Sequence, residues 1–478
     1  MLDPDPVHDR PAAPVRLRPL MVCLVLTTAL GALDQTIVAT ALPTIVEDFD
    51  AVDRSAWVLT AYLLAMSVAM PVVGSLGDRY GAVRLLRVSV VLFVAASTAC
   101  AAAPNVELLA MSRALQGVGG AGMLVLPQVL VADVVPARDR AAVLGPLGAV
   151  FAVATVVGPL LGGWLTDTGS WRLVFWINLP VGGLALLLAC TVLHAGPRSD
   201  DRGARFDVLG TSLLVVSTSA LAWAAAVVPR EGWGTSSVVA VLLTLAVVAV
   251  FVAHQLRSSA PLLPVQVLRT RGVFLSAFLA ATVGFGMFGV IAYVPSWVQG
   301  VHGTSATLSG LLLLPVTAGL VLGVNVSGRL VRRTGRWRRF PVGGCALAAT
   351  AAATLGLAGT HLGLPATAGV LVAFGLGAGS FMALLVVLAQ DAAPRRNVAG
   401  ITGTIAYVRE AGATVGTALL GGVLAAGLAH ATPDALGAGD YGPAFVPVFL
   451  TVAVAFAVGV VAAALIPHRE LGTSESAP

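Results

Sequence analysis

Four charged residues stand inside long apolar runs: Asp34, Arg113, Arg409 and Glu410. A charge held in hydrocarbon costs at least ~2.5–3.5 kcal/mol, so each is a functional candidate by default. Asp34 has the chemistry of proton exchange. Desolvation raises a carboxylate's affinity for the proton and a neighbouring guanidinium lowers it. An Asp–Arg pair whose spacing changes between two conformations therefore binds a proton in one and releases it in the other; held rigid, the same pair only ties two helices together. As a helix, the run containing Asp34 places it about 15 residues, or roughly 23 Å, from its start. Arg113 enters from the opposite end and lies about 9 Å in, at comparable depth. Gln116, Gly117 and Gly120 share its face at i+3, i+4 and i+7, with Gln116 placed to hold the guanidinium and the glycines to admit a neighbour. Arg409 and Glu410 are adjacent and point about 100° apart. They are expected to face different partners, one across the bundle and one toward the interior. Glu410 is a candidate second protonation site, the alternative being a local structural ion pair.

The surroundings of these charges decide what kind of protein positions them. Of 478 residues 57% are apolar and 11% charged, with mean hydropathy +0.92; a soluble domain carries roughly 25% charged residues. The ionisable groups cannot cover a soluble surface of this size, which excludes a soluble enzyme. All basic residues are Arg, and they are not clustered on a polar domain, which excludes a nucleic-acid binder despite pI ≈ 9.4. Cys23, Cys100, Cys190 and Cys345 lie singly in apolar runs and read as small buried side chains. GxxxxGK[ST], HExxH and GxSxG are absent, and no cofactor or metal is expected.

A helix needs about 20 apolar residues to cross a bilayer. Fourteen candidate spans satisfy this, at about 19–41, 55–76, 85–103, 107–132, 141–165, 171–193, 207–228, 237–256, 273–299, 307–328, 340–359, 366–390, 400–427 and 445–466. The first is too long for a signal peptide and holds Asp34. With both termini inside, Arg54, Arg172 and Arg230 fall outside, Arg113 and Arg409 within spans, and the rest of the 28 arginines inside. That asymmetry supports both the count and the orientation. Trp57, Trp164, Trp171, Trp233 and Trp297 fall near outer span ends, as an aromatic belt would.

The loop Gly74-Ser-Leu-Gly-Asp78-Arg79-Tyr-Gly81-Ala-Val-Arg84 returns as Gly328-Arg-Leu-Val-Arg332-Arg333-Thr-Gly335-Arg-Trp-Arg338, 254 positions later. Gly158-xxx-Gly162 and Gly412-xxx-Gly416 stand at the same offset. The expected fold is therefore an all-α integral membrane protein of fourteen transmembrane helices. It comprises an N-terminal tail (1–18), a six-helix half (19–193), a linker with an inserted helix pair (194–272), a second pseudo-symmetric six-helix half (273–466) and a C-terminal tail (467–478). Such repeats characterise secondary transporters, with the substrate between the halves. The inserted pair holds no buried charge and is expected at the periphery, bridging the halves without lining the cavity.

Four motifs make a resemblance explicit over nearly the whole length. They are Leu33-Asp34-Gln-Thr36-Ile-Val-Ala-Thr-Ala-Leu42-Pro43, the 74–84 loop, Arg113-Ala-Leu-Gln116-Gly117-Val-Gly119-Gly-Ala121, and Gly158-Pro159-Leu-Leu-Gly162-Gly163. Together they resemble the fourteen-helix drug:proton antiporters of the major facilitator superfamily. The resemblance implies a bacterial plasma-membrane carrier with the proton gradient as its energy source, working as a monomer among lipid on a small amphipathic, cationic or neutral substrate. It implies that Asp34 and Arg113 line the central cavity. It implies a cytoplasmic gate at Gly74, Asp78, Arg79, Gly81 and Arg84, with Asp133 the partner of Arg79 or Arg84. The second copy of the loop, with Arg332 in place of Asp, is expected to sit on anionic lipid and not to gate. Pro159 is expected to bend its helix, and Gly158, Gly162 and Gly163 to admit a close neighbour and seal it against proton leak. Phe285, Phe288 and Phe381 are candidate cavity aromatics. An exporter dedicated to one endogenous metabolite or antibiotic is the alternative within transport.

Overall fold

A computed structural model describes residues 17–50, 56–193, 207–231, 234–258, 261–304, 306–429 and 441–467. Among these residues there is no strand. The first group of helices comprises α1 (Leu17–Asp48), α2 (Ala56–Tyr80), α3 (Ala82–Ala101), α4 (Val106–Val134), α5 (Ala137–Thr168), α6 (Leu173–Trp176) and α7 (Asn178–Val192). Next come α8 (Val208–Glu231), α9 (Thr235–Arg257) and the short α10 (Val265–Leu268). The last group is α11 (Arg271–His302), α12 (Ala306–Leu311), α13 (Leu313–Thr334), α14 (Arg339–Ala358), α15 (Leu364–Asp391), α16 (Val398–Ala429) and α17 (Tyr441–Ala464). Among the described residues twelve spans are long and apolar enough to cross a membrane. The 32-residue α5 and 24-residue α8 run beside them. The N-terminal tail, residues 194–206, Trp233 and the C-terminal tail lie outside the described residues.

Packing repeats between the groups. In the first, α1 packs on α5, α2 on α4 and α3 on α4; in the last, α11 packs on α16, α13 on α15 and α14 on α15. The small-residue motifs sit at equivalent places in this scheme. Gly158 and Gly162 face Thr36 and Ile37 of α1, while Gly412 and Gly416 face Ala281 and Phe285 of α11. Small residues let backbones approach where no hydrophobic effect distinguishes helix from lipid.

Several local expectations change. Gly163 meets no neighbour, so the close face of α5 is Gly158 and Gly162 alone. Cys190 is exposed, unlike Cys23, Cys100 and Cys345. Trp57 and Trp164 are exposed as a belt requires, but Trp171 and Trp297 are buried by ring packing against Phe49 and Phe175, and against Phe449 and His302. The inserted pair is asymmetric. The lipid-facing α9 packs on α8, whereas α8 packs on α2 and α16 and so touches both groups.

Candidate functional site

Asp34 and Arg113 meet. Arg113 Nη1 lies 2.6 Å from Asp34 Oδ2, both side chains fully buried. Gln116 joins them on both sides, accepting from Arg113 Nη1 at 2.8 Å and donating from Nε2 to Asp34 Oδ1 at 2.8 Å. Its position one turn after Arg113 makes this possible. The guanidinium lies over the Tyr62 ring, 4.0 Å from the centroid, a cation–π contact that helps compensate a buried charge. Gly117 packs against the Tyr62 backbone and Gly120 against its hydroxyl, which lets α2 bring that ring under the charge.

Three further residues hold the site. Asn178 Nδ2 donates to Asp34 Oδ1 at 2.8 Å and to Ser97 Oγ at 3.0 Å, and Ser97 in turn donates to the Phe175 carbonyl at 2.9 Å. Asn178 reaches inward because the chain breaks between α6 and α7. Pro180 has no N–H to give the Trp176 carbonyl four residues earlier, so the helix restarts at Asn178. The Cys100 thiol sits 3.5 Å from Gln116 Oε1. Only the Asp34–Arg113–Gln116 core was visible by charge in an apolar run. A neutral Asn at a helix break, a Ser and a Tyr carry no such signal.

The pair does not line the cavity. It is sealed within the first group of helices, between α1, α4, α3 and α7, with 0% exposure of Asp34 and Arg113. The cavity lies between the two groups. Its walls include Thr28, Gln128, Met287, Phe288, Met382 and Arg409. Of the three candidate aromatics, Phe288 lines it; Phe381 is fully buried in the helix packing. Neither α8 nor α9 contributes to the lining.

Arg409 and Glu410 pair with each other, Nη2 to Oε1 at 3.0 Å. The expectation that neighbours 100° apart must find different partners fails because the long arginine side chain turns back across that angle. Its guanidinium remains at the cavity wall while Glu410 stays behind it.

At the end of the bundle carrying the 74–84 loop the two groups are joined. Asp78 accepts from the backbone N–H of Ala399 at 2.8 Å and of Gly400 at 2.6 Å, at the start of α16. A carboxylate at a helix N-terminus satisfies orphan donors and the helix dipole together. Gly74 lies against the Ala399 carbonyl and Gly403 against the Met70 carbonyl, so neither has room for a larger side chain. Gly81 adopts φ 89°, the left-handed turn that starts α3. Arg79 lies 5.3 Å from the Tyr80 ring centroid, and Arg84 is exposed. Asp133 pairs with neither. Arg140 reaches back to cap α4, donating to the Val135 and Ala132 carbonyls at 2.8 Å, and is the cation that acts on Asp133.

The second copy of the loop also lies at the junction. Gly328 packs on the Ala141 and Ala142 backbone, and Arg138 Nε donates to the Arg332 carbonyl at 3.2 Å. The expectation that this copy faces lipid alone is corrected: α5 crosses it. Gln390 Nε2 donates to the Gln128 carbonyl at 3.3 Å, the next contact toward the cavity.

Comparison with known proteins agrees with this geometry. Residues 24–417 match the model of the Major Facilitator Superfamily, and the chain belongs to that family. It is a multi-pass membrane protein of a transporter family, not an enzyme. It is 39% identical over 414 residues to the uncharacterized MFS-type transporter Rv1877 of Mycobacterium tuberculosis (strain ATCC 25618 / H37Rv), covering 86% of this chain and 60% of that protein. The chain thus spans less than two thirds of that relative's length. It is 30% identical over 423 residues to the multidrug transporter protein MdtP of Bacillus subtilis (strain 168), covering 87% of this chain and 77% of that one. The fold is similar to the crystal structure of the human organic anion transporter MFSD10, with TM-score 0.66, 16% identity and coverage of 94% and 99%.

Proposed function

We propose that this chain is a proton-coupled antiporter that exports amphipathic toxic compounds across the plasma membrane by alternating access. In this reading all fourteen long helices cross, α5 and α8 included, the termini and the Asp78 end are cytoplasmic, and a single copy surrounded by lipid suffices without a cofactor. Multidrug transport by MdtP supports the cargo class.

The observation that carries the coupling is the sealed Asp34–Arg113 pair. Breaking one partner of a buried pair leaves an uncompensated charge. When Asp34 takes a proton, Arg113 keeps Gln116 Oε1, the Val58 carbonyl at 3.5 Å and the Tyr62 and Phe175 rings. The hold between α1 and α4 weakens. The same helix α1 is fastened to α5 two residues further on, where the Thr36 hydroxyl donates to the Ala154 carbonyl at 2.9 Å. Protonation thereby reaches α5 and, through α5, the junction with α13. Loss of the proton restores the pair and the closed cytoplasmic clasp at Asp78.

Drug uptake into everted vesicles with and without an imposed pH gradient tests this. Asp34→Asn keeps the shape and one acceptor, so the protein inserts normally while gradient-driven uptake is abolished. Undiminished uptake by this variant at saturating gradient removes Asp34 from the mechanism.

A further inference from the structure

The cavity wall has a sign. Among its lining residues there is no carboxylate, and its one charged member is Arg409. Glu410 takes Nη2 of that guanidinium from behind, and among the described residues no other partner takes its remaining N–H groups. Across the cavity, on α1, the Thr28 hydroxyl is buried, 5% exposed, and has no hydrogen-bond partner. Its neighbour Thr27 shows the usual alternative, donating to the Cys23 and Leu24 carbonyls of its own helix at 3.0 and 2.9 Å. A buried hydroxyl without a partner is a cost that a bound acceptor removes. Two polar residues, one charged and one with a hydroxyl buried just behind the wall, thus border one space from opposite halves. The rest of the wall is soft and apolar, with the adaptable side chains of Met287 and Met382 beside Phe288.

We infer that this cavity takes a lipophilic molecule bearing a hydrogen-bond acceptor, a carboxylate or carbonyl compound, held between Arg409 and Thr28, and that it rejects permanent organic cations. This rests on the export reading above and sets its substrate class. A cation in this space would meet the positive end of the Arg409–Glu410 pair and find no carboxylate on the wall. A carboxylate or ketone finds a guanidinium fork and an idle hydroxyl, while its hydrocarbon part lies against methionine and phenylalanine.

The test is equilibrium binding to the purified full-length protein in lipid nanodiscs, with no pH gradient. Three fluorescent probes share one ring system: 9-anthracenecarboxylate, its methyl ester and the anthracen-9-ylmethyl trimethylammonium ion. The carboxylate and the ester are expected to bind at least about tenfold more tightly than the ammonium ion. Arg409→Gln should weaken the carboxylate about tenfold and leave the ester within about threefold, and Thr28→Val should weaken both about threefold. Tighter binding of the ammonium ion, binding of none of the three, or an unchanged carboxylate-to-ester ratio in Arg409→Gln overturns the proposal. If that variant does not fold, the wild-type order and Thr28→Val decide. A carrier that moves no proton still shows this binding order, whereas a reversed order leaves proton-coupled efflux standing and removes only the substrate class.

Discussion

Asn178 donates a 2.8 Å hydrogen bond to the Asp34 carboxylate from the first residue of a helix 144 positions away. With Gln116 it fixes the oxygen not held by Arg113, and Ser97 fixes Asn178. A hydrogen bond to a charged group is worth roughly 1.5–3 kcal/mol. Asn178→Leu leaves that oxygen with Gln116 alone, and gradient-driven uptake in everted vesicles should slow by about tenfold or more. Uptake equal to that of the wild type would remove Asn178 from the coupling site, and Asn178→Gln should recover part of the loss.

How much of this was legible in the sequence depends on the kind of signal each residue sends. Asp34, Arg113 and Gln116 announce themselves because charge is rare in an apolar run and i+3 spacing is rigid. Their depth was readable too. Their direction was not. In a membrane both the lipid face and the protein face are apolar, so nothing marked Asp34 as facing α4, α3 and α7 and turning from the cavity. The Arg409–Glu410 pairing was one of two readings left open, because helix geometry orients Cβ atoms and says little about where a long arginine ends. Asp133 was misassigned for a related reason, since an arginine seven residues later caps its helix and claims the position. Asn178 depends on a helix break that follows from Pro180, but the inward reach of its side chain is set by packing.

The clasp at Asp78 gives the second prediction. Asp78→Ala leaves the Ala399 and Gly400 N–H groups without their acceptor at the junction of the two groups. The balance should move toward the inward-open form, slowing turnover more than it weakens substrate binding. Gly403→Val should act in the same direction by a separate cause, because its side chain would strike the Met70 carbonyl. Both variants should raise cysteine labelling of the cavity from the cytoplasmic side, and unchanged labelling in both would count against the clasp as a gate.

A third concerns the C-terminal end of α1. Asp48 accepts from Trp171 Nε1 at 3.0 Å and from Arg172 Nη1 at 3.1 Å, and these bonds, the tryptophan's first, hold its carboxyl below the usual carboxylate range. A lowered value means the contact is fully formed above the ordinary carboxylate range near 4 and is lost as pH falls through the depressed value. Both charged side chains are more than a third exposed, so the contribution to stability is small. Tryptophan emission should change only below about pH 4, and Asp48→Asn should remove that change while shifting the melting temperature little. A transition between pH 5 and 7 attributable to Asp48 would contradict this arrangement.

The last prediction separates the two helices of the inserted pair. Leu242 of α9 is 60% exposed, and α9 packs mainly on α8, so another apolar residue there should change neither substrate profile nor pH dependence. Ser217 of α8 is buried, but its hydroxyl has no partner and lines no cavity, so Ser217→Ala should be equally silent. Thr218 is different. Its hydroxyl lies 2.9 Å from the Tyr407 hydroxyl of α16, two residues before Arg409, while α8 also packs on α2. Thr218→Val keeps the shape and removes that bond, at a cost of about 1 kcal/mol. A bond present while the groups are clasped at Asp78 and broken when α16 moves against α8 would stabilise the clasped form, so its loss should speed opening by up to about fivefold without altering which compounds are carried. Transport rates and substrate panels for Leu242→Ile, Ser217→Ala and Thr218→Val decide the matter. If Leu242→Ile alters specificity while expression stays normal, α9 is not a lipid-facing helix. If Thr218→Val matches wild type in rate, the contact with α16 is structural and the inserted pair plays no part in the cycle.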